Sequence, residues 1–148
     1  MTASAVRASP VLAGEVMSAP PLAVRPEASV WSAWTLMAHR GVRHLLVTAN
    51  GRCVGVLDDR TIFAQWPLGP AALHRKEVAA VMCAAVSSVP ASSELRRAAL
   101  VMMREGVDAV PVADDDGITV GVVTYTDILA AVARCADVSW FEEPERSS

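Results

Sequence analysis

Three things are scarce in this sequence of 148 residues: cysteine, net charge and long apolar runs. The cysteines, Cys53, Cys83 and Cys135, are odd in number and widely separated, which predicts small core residues in a reduced compartment and excludes a disulfide framework. The net charge of −3 gives no electrostatic reason to expect nucleic acid or an anionic membrane as a partner. No apolar run approaches the roughly 18 residues that a membrane span needs.

Catalytic and metal-binding signatures are also missing. The sequence has no Gly-rich phosphate loop and no recognisable Ser-His-acid or Cys-His arrangement. His39 and His74 have no partner at metal-ligand spacing, and the acidic stretch at 114–117 lacks the Glu that closes a calcium loop. The opening, MTASAVRASPVLAG, has no apolar segment typical of a signal peptide. We therefore expect a non-catalytic, metal-free protein of the cytoplasm.

What the sequence does contain is an internal repeat. A shift of 65 residues aligns the first part with the second, and one extra residue in a later turn makes the shift 66. The aligned positions are mostly apolar residues and glycines: Met17 with Met82, Val30 with Leu95, Met37 with Met102, Gly41 with Gly106, Gly55 with Gly121 and Ile62 with Ile128. So many ordered matches indicate two copies of one unit.

Each copy predicts the same order of elements: strand, helix, strand, strand, helix. Apolar residues at i, i+3, i+4 and i+7 mark one helix face in each copy: Val30, Ala33, Trp34 and Met37, then Leu95, Ala98, Ala99 and Met102. Ser29 and Ser93 are expected to cap these helices, and Gly41 and Gly106 to end them. Trp31 lies one step off this face, so we expect it either half-buried beside Trp34 or in a dimer contact.

The second part of each copy predicts a hairpin and a closing helix. Asn50-Gly51 and Asp116-Gly117 are tight-turn dipeptides between apolar runs. The runs cover 42–47 and 54–57 in the first copy and 107–112 and 119–123 in the second, and the closing helices cover about 61–66 and 127–135. The predicted organisation is a flexible start at 1–10, motif 1 at 11–66, a linker at 67–77, motif 2 at 78–136 and a tail at 137–148.

Neither copy could easily stand alone, because helices on one face of a three-stranded sheet leave the other face uncovered. We expect two pseudo-symmetric β-α-β-β-α motifs packed sheet to sheet in a mixed α+β (α/β) fold. The charges are unevenly divided: residues 11–66 hold five arginines and four carboxylates, and residues 78–138 hold four arginines and eight carboxylates. An anionic ligand would find more support from the first motif.

This pattern resembles a tandem pair of cystathionine-β-synthase-type (CBS) domains, a Bateman module. The resemblance rests on the openings EVMSAPPLAVRP and AVMCAAVSSVP, the helix-strand stretches SVWSAWTLMAHRGVRHLLV and ELRRAALVMMREGVDAVPV, and the closings GVLDDRTI and GVVTYTDI. It implies a regulatory module that binds an adenine nucleotide or S-adenosylmethionine between the two motifs, needs no cofactor, and dimerises.

The resemblance also implies site residues. The acid of the closing motif would hold the ribose hydroxyls and its Thr would lie near phosphate, and Asp127 and Thr124 match those positions. The same pair forms a capping box, so a purely structural role is the alternative. Tyr125 and Thr126 lie between these two residues and would belong to the same site. Contacts from the other motif would complete a composite site: Val42, Arg43, His44, Leu22 and Ala23.

The first copy departs from the pattern. Thr61 stands where the ribose acid belongs and Asp58, which also predicts a helix N-cap, stands where it would repel phosphate. With Val107 and Asp108 these residues predict a degenerate second site, and hence about one competent site per chain. Arg43 and His44 could instead face this degenerate cleft, or lie on solvated surface.

Two functions stay open at this point. The first is a homodimeric ligand sensor that is read by an unknown effector protein. The second is a dimeric scaffold or stress-associated interaction protein whose nucleotide sites have decayed.

Overall fold

The computed structural model describes residues 10–134, so the tail with Trp140-Phe141, Cys135 and the first nine residues lie outside the described part. Two similar halves follow each other along the chain. The first contains α1 (Ala13–Val16), β1 (Ala23–Val24), α2 (Val30–Arg40), β2 (His44–Ala49), β3 (Arg52–Asp58) and α3 (Asp59–Gln65). The second contains β4 (Cys83–Ala84), β5 (Val89–Pro90), α5 (Leu95–Glu105), β6 (Ala109–Ala113), β7 (Thr119–Thr124) and α6 (Tyr125–Ala133). The predicted mixed fold of two β-α-β-β-α motifs is confirmed.

Each half builds its sheet in the same way. In the first, β1 pairs with β2 in parallel and β2 with β3 in antiparallel, and β5, β6 and β7 repeat that arrangement. The hairpin turn at Asn50-Gly51 has positive φ at both residues, 54° and 75°. A two-residue turn of this kind matches the right-handed twist of its strands, as the Asn-Gly dipeptide predicts.

The opening segment of each half crosses to the sheet of the other half. In β4, Cys83 pairs with Val56 of β3, which gives the first sheet a fourth strand. At the equivalent place Ser18 and Val122 exchange two backbone hydrogen bonds of 2.9 and 3.1 Å. The prediction of three strands per sheet did not include this crossing, which joins the two halves through backbone.

Helix boundaries follow local chemistry with small differences from expectation. The Ser29 side chain accepts a hydrogen bond from the Ser32 N–H, and Gly41 and Gly106 end their helices in the left-handed region. Ser93 does not cap α5, because its hydroxyl donates to the Pro90 carbonyl and Glu94 takes the N-cap position. The two closing helices begin two residues before the predicted starts, directly after their capping residues.

The core has three parts, one within each half and one between the sheets. Leu46, Val56 and Ala109 form the part between the sheets, and Cys53 packs against it half-buried. Cys83 is exposed, which contradicts its prediction as a core residue. Its strand β4 has only two residues and lies at the edge of the first sheet, where a side chain finds little cover.

The connector between the halves is ordered and contains a further helix, α4 (Pro70–Arg75). Its Leu73 is buried in the core of the first half. Next to it, His74 stacks on Trp31 with 4.6 Å between ring centroids, and Trp66 stacks on the same indole at 6.3 Å. Trp31 is therefore half-buried within its own chain as predicted, with its ring stacked on His74 and Trp66, and its predicted part in a dimer contact stays a prediction. Within residues 10–134 no helix is long and apolar enough to cross a membrane.

Candidate ligand-binding cleft

A cavity of about 490 Å³ lies between the two halves. One wall comes from the segment before β1 and from the turn between α2 and β2, and the other from the end of β7 and the first turn of α6. The lining residues are Ser18, Pro20, Leu22, Gly41, Val42, Arg43, His44, Leu46, Val122, Thr124, Tyr125 and Thr126. We call this cavity the cleft.

Most of the predicted site residues meet there. Seven of the nine line the cleft: Leu22, Val42, Arg43, His44, Thr124, Tyr125 and Thr126. Arg43 and His44 therefore line one cavity with the closing motif of the second half, and they also border Arg60 and Asp108 on the degenerate side. Asp127 and Ala23 are neighbours of lining residues without lining the cleft themselves in the described structure.

The closing motif of the second half forms the predicted capping box. Asp127 Oδ2 accepts hydrogen bonds from the Thr124 N–H at 2.8 Å and from the Thr124 hydroxyl at 3.3 Å. Both bonds use one carboxylate oxygen, so Oδ1 keeps its acceptor capacity among the described residues. The box holds the Thr124–Thr126 turn at the mouth of the cleft, so the capping and binding roles of Asp127 are compatible.

His44 is the best-enclosed ionisable side chain of the cleft, with 12% of its side chain exposed. Its ring meets Tyr125 edge to face with centroids 6.2 Å apart, and its Nε2 lies 4.0 Å from Asp108 Oδ2. Burial lowers the pKa of His44 below its usual 6.5, although the Asp108 carboxylate acts in the opposite direction. The imidazole is therefore neutral at pH 7, and Arg43 is the cation of the cleft lining.

The equivalent place in the first closing motif is organised differently. Asp58 Oδ1 accepts a 2.7 Å hydrogen bond from the Thr61 N–H and caps α3 as predicted. Partial burial raises the pKa of Asp58, but the hydrogen bonds from Thr61 and the charge of Arg60 lower it by more, so the net direction is down. Arg60 contacts both Asp108 (2.6 Å) and Asp58 (3.6 Å).

The second predicted site is thus occupied by ion pairs of the protein itself, between Arg60 and the carboxylates of Asp108 and Asp58. Arg60 was not predicted to take part, although an arginine beside Asp58 and Asp59 in the closing motif was visible in the sequence. Val107, a predicted contact of that site, is buried in the core of the second half, whereas its counterpart Val42 is 37% exposed.

The sequence analysis also missed part of the cleft. Ser18, Pro20, Gly41, Leu46 and Val122 line it as well. For Ser18 the sequence did offer an indication, because the alignment of the two openings pairs Ser18 with Cys83. Metal chemistry has no support from the described residues, since no group of three His, Cys, Asp or Glu side chains among them could hold an ion.

Comparison with known proteins agrees with the geometry. A protein-family model of the CBS domain matches residues 13–65 and again residues 78–134. The chain belongs to the CBS domain family. The two matches correspond to the two halves, so the chain carries a pair of CBS domains.

Individual relatives are distant in sequence. L-aspartate semialdehyde sulfurtransferase of Methanocaldococcus jannaschii is 27% identical over 123 residues, which are 81% of this chain and 23% of that protein. The chain thus spans about a quarter of the length of this relative.

Two solved structures show the same fold. The CBS domain pair of protein MJ0100, solved with 5′-methylthioadenosine and S-adenosyl-L-methionine, superposes with a TM-score of 0.72 at 23% identity and covers 84% of this chain and 97% of that chain. CBSX2 of Arabidopsis thaliana, solved with AMP, gives a TM-score of 0.68 at 25% identity, covering 83% of this chain and 96% of that one.

Proposed function

We propose that this CBS domain pair is a non-catalytic regulatory module that binds an adenosyl ligand in the cleft, at one site per chain. The observation that carries the proposal is the meeting of seven predicted residues from both halves around one cavity. Its volume of about 490 Å³ is within the range of roughly 300–1,000 Å³ common for small-molecule sites. The adenosyl ligands of MJ0100 and the AMP of CBSX2 support the ligand class.

Each part of the cleft has a distinct role in this proposal. Leu22, Val42 and Leu46 offer apolar contact to a base. Asp127 offers its free Oδ1 to a ribose hydroxyl once the ligand is seated. Arg43 offers the positive charge for an anionic group on the ligand. A ligand that contacts both halves changes their relative geometry only if it binds one arrangement more tightly, and an effector protein would read that change.

The single site per chain follows from the difference between the two closing motifs. Thr61 replaces the ribose acid in the first copy, and Arg60 already pairs with Asp108 there. An incoming ligand would have to displace this ion pair and would gain no carboxylate for its ribose.

We also propose a homodimer in the cytoplasm. Phe63 of α3 and Leu129 of α6 are equivalent in the repeat, and they are 50% and 60% exposed. Apolar side chains that recur at an exposed helix position in both halves favour a protein contact.

The two cysteines within residues 10–134, Cys53 and Cys83, are free thiols, which supports a reducing compartment. We propose no reaction for this chain, which spans only a quarter of the sulfurtransferase relative.

Thermal unfolding with and without ligand tests the proposal. AMP, ATP and S-adenosylmethionine are each added at millimolar concentration, and a ligand at 100 times its dissociation constant stabilises by ~2.7 kcal/mol. Asp127→Asn is the matched variant, because its amide oxygen can still accept from the Thr124 N–H while the charge is lost. We expect a weaker ligand shift in this variant and a stoichiometry of one ligand per chain by calorimetry.

The competing function is a dimeric scaffold with decayed nucleotide sites. The observation that favours it is the engagement of Asp127 in the capping box, because a cap needs no ligand. No stabilisation by any of the three compounds would favour the scaffold. A full shift that survives Asp127→Asn would instead move the site away from this residue.

A further inference from the structure

A second cavity, of about 330 Å³, lies between the two closing motifs. It is lined by Arg43, His44, Asp59, Arg60, Asp108 and Tyr125. Two equivalent backbone hydrogen bonds flank it, from the Asp59 N–H to the Arg43 carbonyl and from the Tyr125 N–H to the Asp108 carbonyl, both 3.0 Å. Because these bonds are related by the internal repeat, the cavity lies on the pseudo-two-fold axis. We call it the axial cavity.

The axial cavity continues from the cleft. Arg43, His44 and Tyr125 line both spaces. A ligand that places its base and ribose in the cleft has its 5′ substituent near these shared residues. The chemistry of the axial cavity therefore selects among ligands that share an adenosyl group and differ in their tails.

The charges of the axial cavity are of both signs. Arg60 and Asp108 are paired with each other at 2.6 Å, and Asp108 is also the neighbour of His44. Arg43 and Asp59 have no ion pair within residues 10–134. The cavity thus presents one unpaired guanidinium and one unpaired carboxylate to a ligand.

We infer that the cleft and the axial cavity together select an adenosyl ligand with an amino-acid tail, one that carries both an ammonium and a carboxylate. This inference rests on the proposed function. The tail carboxylate pairs with Arg43, whose planar guanidinium suits a carboxylate, and the tail ammonium pairs with Asp59. A polyphosphate tail brings only negative charge toward Asp59 and Asp108, so it binds less well.

Three probes separate the tail from the adenosyl group. S-adenosylhomocysteine and 5′-methylthioadenosine are both neutral thioethers and differ only by an amino-acid chain in place of a methyl group. ATP supplies the polyphosphate. By titration calorimetry on the full chain we expect S-adenosylhomocysteine to bind at least about tenfold tighter than either of the other two, which corresponds to ~1.4 kcal/mol.

The decisive variant is Asp59→Asn, with Asp115→Asn in the exposed hairpin turn as its control. Loss of the Asp59 charge is expected to weaken S-adenosylhomocysteine binding about tenfold and to strengthen ATP binding. A folding defect would weaken both, so opposite directions identify the electrostatic role. Arg43→Gln is expected to weaken both ligands, and the control variant to change neither.

Each alternative outcome has its own meaning. Equal affinity for S-adenosylhomocysteine and 5′-methylthioadenosine overturns the tail inference and leaves the proposed adenosyl site standing. Tighter binding of ATP than of S-adenosylhomocysteine also overturns it, as does an unchanged ligand preference in Asp59→Asn. Absence of binding for all three probes overturns the adenosyl site and the tail inference together.

Discussion

Arg60 Nη2 lies 2.6 Å from Asp108 Oδ2, and this ion pair joins two residues that are 48 positions apart in the chain. The pair ties the first turn of α3 to the start of β6, at the degenerate site where the first closing motif lacks its ribose acid. Because Asp108 also faces His44, the same carboxylate borders the degenerate site and the proposed one.

Removing this ion pair should cost little stability. The Arg60 side chain is 72% exposed and that of Asp108 is 38% exposed, so solvent screens their attraction. A double-mutant cycle with Arg60→Ala and Asp108→Ala, measured by urea unfolding, is expected to give a coupling energy of ~0.2–1 kcal/mol. A coupling well above this range would show that the pair is a structural clamp.

The Asp58 cap should contribute more than the ion pair beside it. Replacing Asp58 with Ala removes the acceptor of the Thr61 N–H and is expected to destabilise the protein by ~1 kcal/mol, while Asp58→Asn retains an acceptor and loses less. Equal losses in both variants would assign the effect to charge. The measurement is the midpoint of chemical unfolding at neutral pH.

His44 should make stability depend on pH. Its folded pKa lies below its ordinary 6.5, because burial disfavours the charged form. Between those two values the unfolded chain binds more protons than the folded one, so stability rises with pH. The contribution is fully present above pH 6.5 and is lost as the pH falls through the folded pKa.

The check is a comparison of unfolding free energies at pH 7.5 and 5.5. We expect His44→Gln to show a smaller loss on acidification than the native protein. His39→Gln is the control for the loss of a histidine, since His39 lies exposed in the last turn of α2. Identical slopes for all three proteins would contradict the assignment to His44.

Two glycines should be intolerant of even a methyl group. A Cβ at Gly55 would lie 2.5 Å from Met82 Sδ and 2.9 Å from the Cys83 carbonyl oxygen. At Gly121 the corresponding distances are 2.5 Å to Met17 Sδ and 3.0 Å to the Ser18 carbonyl oxygen. The methionines can move but the backbone oxygens cannot do so cheaply, so each Gly→Ala change is expected to cost ~1–3 kcal/mol by thermal unfolding.

This duplication provides an internal check. Because both glycines meet an opening segment from the other half, the two variants should behave alike. A neutral effect at one position and a large loss at the other would show that the two crossings differ in rigidity.

The proposed dimer contact can be tested on the exposed helix faces. Leu129→Asp and Met103→Asp place charges at apolar positions that are 60% and 81% exposed, so they should not unfold the monomer. Light scattering is expected to show a dimer for the native chain and a monomer for Leu129→Asp. Ala71→Asp, exposed on α4, is the control and should stay dimeric.

The sequence was sufficient for the main helices and hairpins of both halves and for most of the cleft. Periodicity, capping residues and turn dipeptides are local, and each acts within a few residues, which explains why α2, α5 and both hairpins were predicted well. The resemblance to CBS domain pairs added the long-range part, since the composite site that it implies brings Val42–His44 opposite Thr124–Thr126. The Arg60–Asp108 pair was not predictable in this way, because it exists in one copy only and the repeat gives no information about unmatched residues.

Other features depend on tertiary context alone. The exposure of Cys83 follows from its position at a sheet edge, and the crossing of Ser18 to Val122 follows from how two sheets approach each other. Neither feature produces a periodic pattern in the amino-acid sequence. Helix α4 was hidden by the Pro and Gly residues around it, which are typical of loops but also of helix starts.

The crossed opening segments have a consequence for how the molecule holds together. Each half completes the sheet of its neighbour, as Cys83 does for Val56 and Ser18 for Val122. A cut in the connector would leave two fragments that each carry a strand belonging to the other, so neither would fold fully until they recombined. We therefore expect the two CBS domains to melt as one cooperative unit and a ligand bound to either one to stabilise both.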